Sequence, residues 1–313
     1  MKYLKIFENE SNYTSYKNSE DYITPNVSMI KATGGFRCKP YIPPPALVGD
    51  VAYWDGSKVK TTPYAKWNPS LGTPVGVVVV PEGFAPDGRI RIISLLFVNK
   101  SGNTSTSRNG MPWGPYVTDT SLTNFNRVPT TDNNGSTSTG SGEFGYLPSD
   151  KFTGTTSFVD PKAKYHSSNY TPMIPSPYLG DVPNPEYNKA ISGYNNALSD
   201  FNGLSNTETL VGLGADYVAA NACWKYNDGA SNLQWYLPAI GELGYLMPRL
   251  NEINSVIKAL GGVAVDLGYF WSSSERYPGS AYSLYPDRGL VYYDSKDRTD
   301  VVRPFSTIGE KTS

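Results

Sequence analysis

The chain has 313 residues, with 27 Lys and Arg against 28 Asp and Glu, a formal net charge of −1 and only 18% charged residues. That length suits one large domain or two ordinary ones and is ample to bury a core, while the absence of a basic stripe removes the electrostatic support that nucleic-acid binding needs. Its longest apolar run, VGVVVV at 75–80, is strand length and cannot span a bilayer, and 30 Gly, 25 Pro and 24 Tyr favour turns, short strands and exposed aromatic surface over a helical bundle.

The opening stretch, MKYLKIFENESNYTSYKNSEDY, places charges and polar residues where the apolar region of a secretory signal would lie. Synthesis as a soluble cytoplasmic chain without a signal peptide is therefore expected. Residues 1–45 read as an N-terminal arm or docking element, with a short helix around YTSYKNSED. A strand packed on the main domain is the alternative. Pro43, Pro44 and Pro45 enforce stiff, extended backbone and read as a linker.

One main domain is expected over residues 46–306. GDVAYWDGSKVKTTPY predicts two short strands around the Asp55-Gly56 turn. PVGVVVVPEGF and GRIRIISLLFV predict strands joined at Pro86-Asp87-Gly88. Arg89 and Arg91 alternate with Ile90 and Ile92 as in a half-buried strand. Residues 99–185 read as a long irregular insertion, and PTTDNNGSTSTGSGEFG within it as a flexible loop. A helix is expected from Pro185 through EYNKAISGYNNALSDF, and a second in ADYVAANACWKYND. A third, in GELGYLMPRLNEINSVIKALGG, has Leu243, Leu246, Leu250, Ile253, Ile257 and Leu260 at helical spacing and Pro248 as a kink or break. GYFWSSS, SAYSLY, GLVYYD and VVRPF then predict a terminal β-meander, followed by a polar tail at 307–313.

Little in the composition speaks for catalysis. His166 is the one histidine, which excludes a multi-His metal site. Cys38 and Cys223 are far apart and read as free thiols, with Cys223 a small buried hydrophobe. Asp294, Asp297 and Asp300 recur every three residues like a calcium loop but lack its glycine and closing Glu. Glu275 with Asp287 or Asp300 is conceivable as a glycosidase pair. Glu242, next to Gly241 at a helix start, reads as a carboxylate complementing the helix dipole. No metal, cofactor or catalytic residue is expected.

The segment from Glu275 to Val301, RYPGSAYSLYPDRGLVYYDSKDRTD between those residues, is the richest in chemistry. Tyr277, Tyr282, Tyr285, Tyr292 and Tyr293 alternate there with Ser, Asp and Arg, and tyrosine offers large, rigid, amphipathic contact area beside adaptable polar partners. Ordinary strand propensity with partial burial is the alternative reading. Because adjacent strand residues point to opposite faces, only one of Tyr292 and Tyr293 is expected on a given surface.

The order of helix, second helix and terminal meander with WSSSE and VRPF resembles the C-type-lectin-fold variable proteins diversified by retroelements. These are relatives of the formylglycine-generating-enzyme fold and of the phage major tropism determinant. The likeness is best over Ala215–Phe305 and implies an α+β, C-type-lectin-like fold with two helices and a C-terminal meander. It implies a frame of Trp271, Ser272, Ser273, Ser274, Gly289, Val291, Val302, Arg303 and Pro304. The displayed, ligand-binding set would be Arg276, Tyr277, Tyr282, Tyr285, Asp287, Arg288, Tyr292, Tyr293, Asp294, Ser295, Asp297, Arg298, Thr299 and Asp300. Adenine-directed mutation of Asn codons cannot yield Glu, Gln, Met, Trp or Lys, and residues 276–300 hold none of these except Lys296; no Asn follows Asn254. Oxidase members of the fold use a C-terminal cysteine pair, whereas this chain has only Cys223 there, which speaks against that activity. The implied function is binding of a bacterial surface protein or glycan by a phage or prophage tail-fibre tip, in a virion and as a homotrimer, without nucleic acid or membrane insertion. An enzyme acting on surface polysaccharide through carboxylates and a structural virion protein are the alternatives.

Overall fold

The computed structural model describes residues 5–7, 27–32, 35–40, 46–120, 122, 130–132, 137–138, 145–146, 170–172, 176–192 and 197–309. The expected arm helix, the Pro43–Pro45 linker, most of the loop at 129–145 and His166 lie outside these residues. The chain divides into two compact units, Met1–Pro45 and Ala46–Ser313. In the first, β1 (Lys5–Phe7), β2 (Val27–Ala32) and β3 (Gly35–Pro40) form an antiparallel sheet in the order β1-β3-β2.

The second unit opens with β4 (Val51–Trp54), β5 (Val59–Thr62), β6 (Thr73–Val80) and β7 (Ile90–Ser94). These match the strands expected from the apolar runs and the turns between them; Gly56, at the β4–β5 turn, has φ 97°. Short strands follow: β8 (Phe97–Val98), β9 (Thr104–Ser105), β10 (Thr130–Asp132), β11 (Thr137–Ser138), β12 (Gly145–Tyr146), β13 (Tyr170–Pro172), β14 (Tyr178–Leu179) and β15 (Val182–Pro183). The helical part comprises α1 (Pro185–Ser192), α2 (Gly203–Leu213), α3 (Val218–Trp224), α4 (Ile240–Gly244) and α5 (Leu250–Ala259), with β16 (Trp235–Tyr236) between α3 and α4. The chain closes with β17 (Phe270–Tyr277), β18 (Ser280–Tyr285), β19 (Leu290–Ser295) and β20 (Phe305–Ile308). Mixed helices and antiparallel sheets make the architecture α+β.

A six-stranded sheet, ordered β16-β20-β7-β6-β4-β5, is covered on both faces. Val77, Val79 and Ile93 pack with Ile240 and Leu243 of α4 and Leu250, Ile253 and Ile257 of α5. Val75, Val78, Ile90 and Ile92 pack on the other side with Leu210 of α2 and with Ala219, Ala220, Ala222 and Cys223 of α3. Double coverage is why β6 is a continuous valine run instead of an alternating one. It also corrects the half-buried reading of β7. Arg91 is buried, its Nε donating to Glu242 Oε1 at 2.6 Å and its Nη2 reaching Asp87 at 3.0 Å.

The long helix near 240–260 is broken at Pro248, as expected, into α4, a single turn at Met247–Arg249, and α5. Two differences from the sequence reading concern the frame of the site. The helix from Pro185 ends at Ser192, and a separate turn forms at Ala197–Ser199. Finally, β20 leaves the meander to pair between β16 and β7, and it runs to Ile308, two residues into the expected polar tail. The second sheet is ordered β12-β19-β18-β17, so its fourth strand comes from the insertion. That insertion is not merely peripheral, because Met111, Trp113 and Tyr178 are all buried.

Candidate functional site

The site is built on β17, β18 and β19. Register sets which residues share a face: Phe270 lies opposite Leu284, Trp271 opposite Ser283, Ser283 opposite Tyr292, and Leu284 opposite Val291. One face carries Phe270, Tyr282, Leu284 and Val291 into the core with α4 and α5. The other carries Trp271 and Ala281 into a second core with Met111, Trp113 and Val302.

Hydrogen bonds lock this frame. The Trp271 indole donates to Met111 O at 2.9 Å, and that of Trp113 to Ser272 O at 2.7 Å. Ser272 Oγ donates to Tyr282 O at 2.7 Å. Ser274 Oγ donates to Asp200 Oδ2 at 2.6 Å and accepts from Ile240 N at 3.0 Å, while Asn206 links Asp200 to Ser273. Burial raises the Asp200 carboxyl above its ordinary range. Behind it, Glu242 accepts from Arg91, from the Tyr236 hydroxyl at 3.1 Å and from Ala239 N at 2.9 Å, and burial pushes it up to about 7. Its place at the start of α4 is as expected, and Arg91 is the partner that sequence spacing alone did not reveal. Gly289 adopts φ 64° as the left-handed end of the Pro286–Arg288 turn.

On this frame five of the expected residues come together. Arg276 lies over the Tyr293 ring at 3.8 Å and the Tyr277 ring at 4.6 Å from guanidinium carbon to centroid. Tyr293 stacks on Tyr292 with centroids 5.3 Å apart, and Tyr292 meets Tyr269 at 5.5 Å, which stacks on Tyr285 at 4.5 Å. The result is a continuous row Tyr277–Arg276–Tyr293–Tyr292–Tyr269–Tyr285. Tyr277 is exposed and the other rings are half-buried. Burial raises the Tyr292 and Tyr293 hydroxyls above the ordinary tyrosine range; Asp294 and Asp300 add to the rise at Tyr292, and Arg276 opposes it at Tyr293. Tyr269 is the member missed in the sequence, where it read as part of the strand GYFWSSS; its same-face spacing with Trp271 was the available signal. The expected separation of Tyr292 from Tyr293 is corrected. Their backbones do alternate, Tyr292 opposite Ser283 and Tyr293 opposite Tyr282, yet the two rings stack on each other just beyond Val291, the last residue of β19 that pairs with β12 among the described residues.

Three other members of the expected set, Tyr282, Asp294 and Asp300, are interior. Tyr282 is buried because its face of β18 meets α4 and its neighbours. Asp294 and Asp300 are also buried, and Oδ2 of each has no hydrogen-bond partner among the described residues. Asp294 Oδ1 accepts from Arg298 at 3.2 Å. Burial first, then the Asp294 charge, pushes Asp300 up to about 7. Asp297, Arg298 and Thr299 are exposed, Asp287 and Ser295 half-buried, and Ser295 hydrogen-bonds Asp297. Of Arg288 the backbone alone is described.

Glu275 is enclosed, with Thr120 Oγ1 donating to it at 2.6 Å and Lys296 Nζ forming an ion pair with it. Asp297 points to solvent while Asp294 and Asp300 are interior, and among the described residues no group of three or more His, Cys, Asp or Glu could hold a metal ion. Cys223 is a buried free thiol whose pKa burial raises.

No protein-family model matches the chain, and no curated protein matches it. Among solved structures it is similar to a fimbrial protein from Bacteroides ovatus ATCC 8483, at 16% identity and a TM-score of 0.44, over 84% of this chain and 49% of that one. The chain thus spans about half the length of that protein.

Proposed function

We propose that this is a ligand- or receptor-binding protein that displays a tyrosine-rich surface on a C-type-lectin-like scaffold of the retroelement-diversified kind. It serves as the tip of a phage or prophage tail fibre and engages a protein or glycan of a bacterial surface. The observation carrying this reading is the row of five tyrosines and one arginine on the β17–β19 meander, set on a rigid, hydrogen-bonded frame. Preorganised aromatic anchors with a polar rim are what a binding surface requires. Trimeric display in a virion would raise weak single-site affinity through multivalency.

Lys296 supports the diversified reading. It is the single residue of 276–300 outside the set reachable from Asn codons, and it is wholly buried, a frame position within the variable-looking stretch.

The test is to sequence the source locus for an imperfect copy of the DNA encoding roughly residues 270–305. The expected copy differs at adenines in the codons of Arg276, Tyr277, Tyr285, Tyr292 and Tyr293 and agrees at those of Trp271 and Lys296. A locus without such a copy refutes diversification. Alanine at Tyr292 or Tyr293 should weaken binding to the host surface by about 30-fold, the effect of a hot-spot residue worth roughly 2 kcal/mol; unchanged binding refutes the site.

A further inference from the structure

Next to the tyrosine row lies a loop that the sequence did not single out, between Trp113 and Thr120. At its tip Tyr116 is 59% and Val117 64% exposed, more than any other large hydrophobic side chain described. Val117 has φ 67° and is the one non-glycine residue with positive φ among the described residues. A β-branched residue is strained there, whereas glycine or asparagine is not, and such strain concentrates at functional sites. The chain therefore holds an isopropyl group in water, in a conformation that the side chain disfavours.

The loop is held from below. Trp113 N and Gly114 N donate to Lys296 O at 2.8 and 3.2 Å, and Lys296 Nζ donates to Thr118 O at 2.7 Å. Thr120 is tied to Glu275. Lys296 N in turn donates to Gly279 O at 3.1 Å, in the turn between β17 and β18. A methyl group placed on Gly279 would lie 3.3 Å from Cε2 of Tyr116 and 3.3 Å from Cε2 of Tyr277. Two exposed rings thus flank a floor that carries no side chain, and the aromatic row continues from Tyr277 onto the loop.

We infer that Tyr116 and Val117 are a fixed contact of the binding surface, and that the partner is a folded protein with an apolar hollow to receive them. The inference rests on the binding reading above. From Trp113 to Thr118 the loop carries no charge, and an isopropyl group gains from burial only against apolar surface. A glycan offers hydrogen-bonding groups and sugar faces, which reward tyrosine but not valine. Charged groups of the kind a protein interface places around such a core are supplied by Arg276, over the Tyr277 ring, and by the exposed Asp297 and Arg298 that follow Lys296 in the chain.

The test uses the full chain with labelled Val methyls and Tyr rings, observed by NMR and titrated separately with isobutanol, phenol, methyl glucoside and N-acetylglucosamine. Isobutanol and phenol are expected to shift Val117, Tyr116 and Tyr277 saturably, with the two sugars silent there. V117G, which relieves the strained φ and leaves the frame bonds, should weaken the isobutanol response at least threefold. Saturable shifts at Tyr116 from the sugars alone overturn the protein partner. Shifts confined to Tyr285 and Tyr292 overturn the role of the loop and leave the proposed site standing. Silence at every ring with all four probes overturns both.

Discussion

Replacing Lys296 by methionine tests how the frame carries the site. The substitution keeps most of the apolar stem and removes the ammonium group, which donates to Thr118 O, pairs with Glu275 and lies 4.7 Å from the Trp113 ring centre. Glu275 would keep its bond from Thr120 Oγ1 and two longer contacts from Thr120 N at 3.3 and 3.4 Å. It would otherwise be a buried carboxylate without a counter-charge. Removing one member of such a pair costs about 3–5 kcal/mol, or two to three and a half powers of ten in the folding constant. K296M/E275L removes both charges and should recover most of that loss, since replacing a whole buried pair by apolar groups is often near neutral. Urea unfolding followed by tryptophan fluorescence reads both variants, and an unchanged slope would show that the unfolded state is not the cause. A K296M loss under about 1 kcal/mol, or a double variant as unstable as the single one, refutes the buried pair as the keystone of the loop.

Asp300 supplies a pH dependence with a definite sign. Its folded pKa is raised from 3.8 to about 7, so between those values the native state holds a proton that the unfolded state releases, and stability falls as pH rises. About three pKa units correspond to roughly 4 kcal/mol as an upper figure. Relative to the parent, D300N should be nearly neutral at pH 4 and more stable at pH 8; parallel urea curves at both pH values refute this. Glu242 has a raised pKa too, so the difference between variant and parent, not the slope of the parent alone, is the measure. Two glycine substitutions should have opposite signs. G76A places a methyl 2.5 Å from Ile93 O of the neighbouring strand and should cost about 1–3 kcal/mol. G212A, in α2 with open space around it, should stabilise by about 0.5–1 kcal/mol.

Local chemistry made much of this chain legible. Strands β4 to β7 follow from apolar runs bounded by Gly and Pro, the break before α5 follows from Pro248, and β17 to β19 follow from short alternating segments with turn residues between them. These depend on backbone sterics and periodicity, which each segment carries by itself. The tyrosine-rich stretch was legible as chemistry for the same reason, and four of its five tyrosines do join the row.

Which of those side chains face out was decided only by packing. Alternation sorts β18 into two faces but cannot tell which one meets a helix, and here both faces of the meander sheet contact core, so Tyr282, Asp294 and Lys296 are all interior. The helix α2 escaped notice because its sequence, GLSNTETLVGL, is a weak helix former. It is held by burial of Thr207 and Leu210, with Thr207 Oγ1 bonding Leu237 O, and by Asn206 bonding Asp200 and Ser273. Arg91 finds Glu242 across 151 residues, and Lys296 finds Thr118 across 178. Partners so far apart in sequence meet only when the sheets stack, and that meeting turns a tyrosine-rich segment into a preorganised surface with a strained loop at its edge.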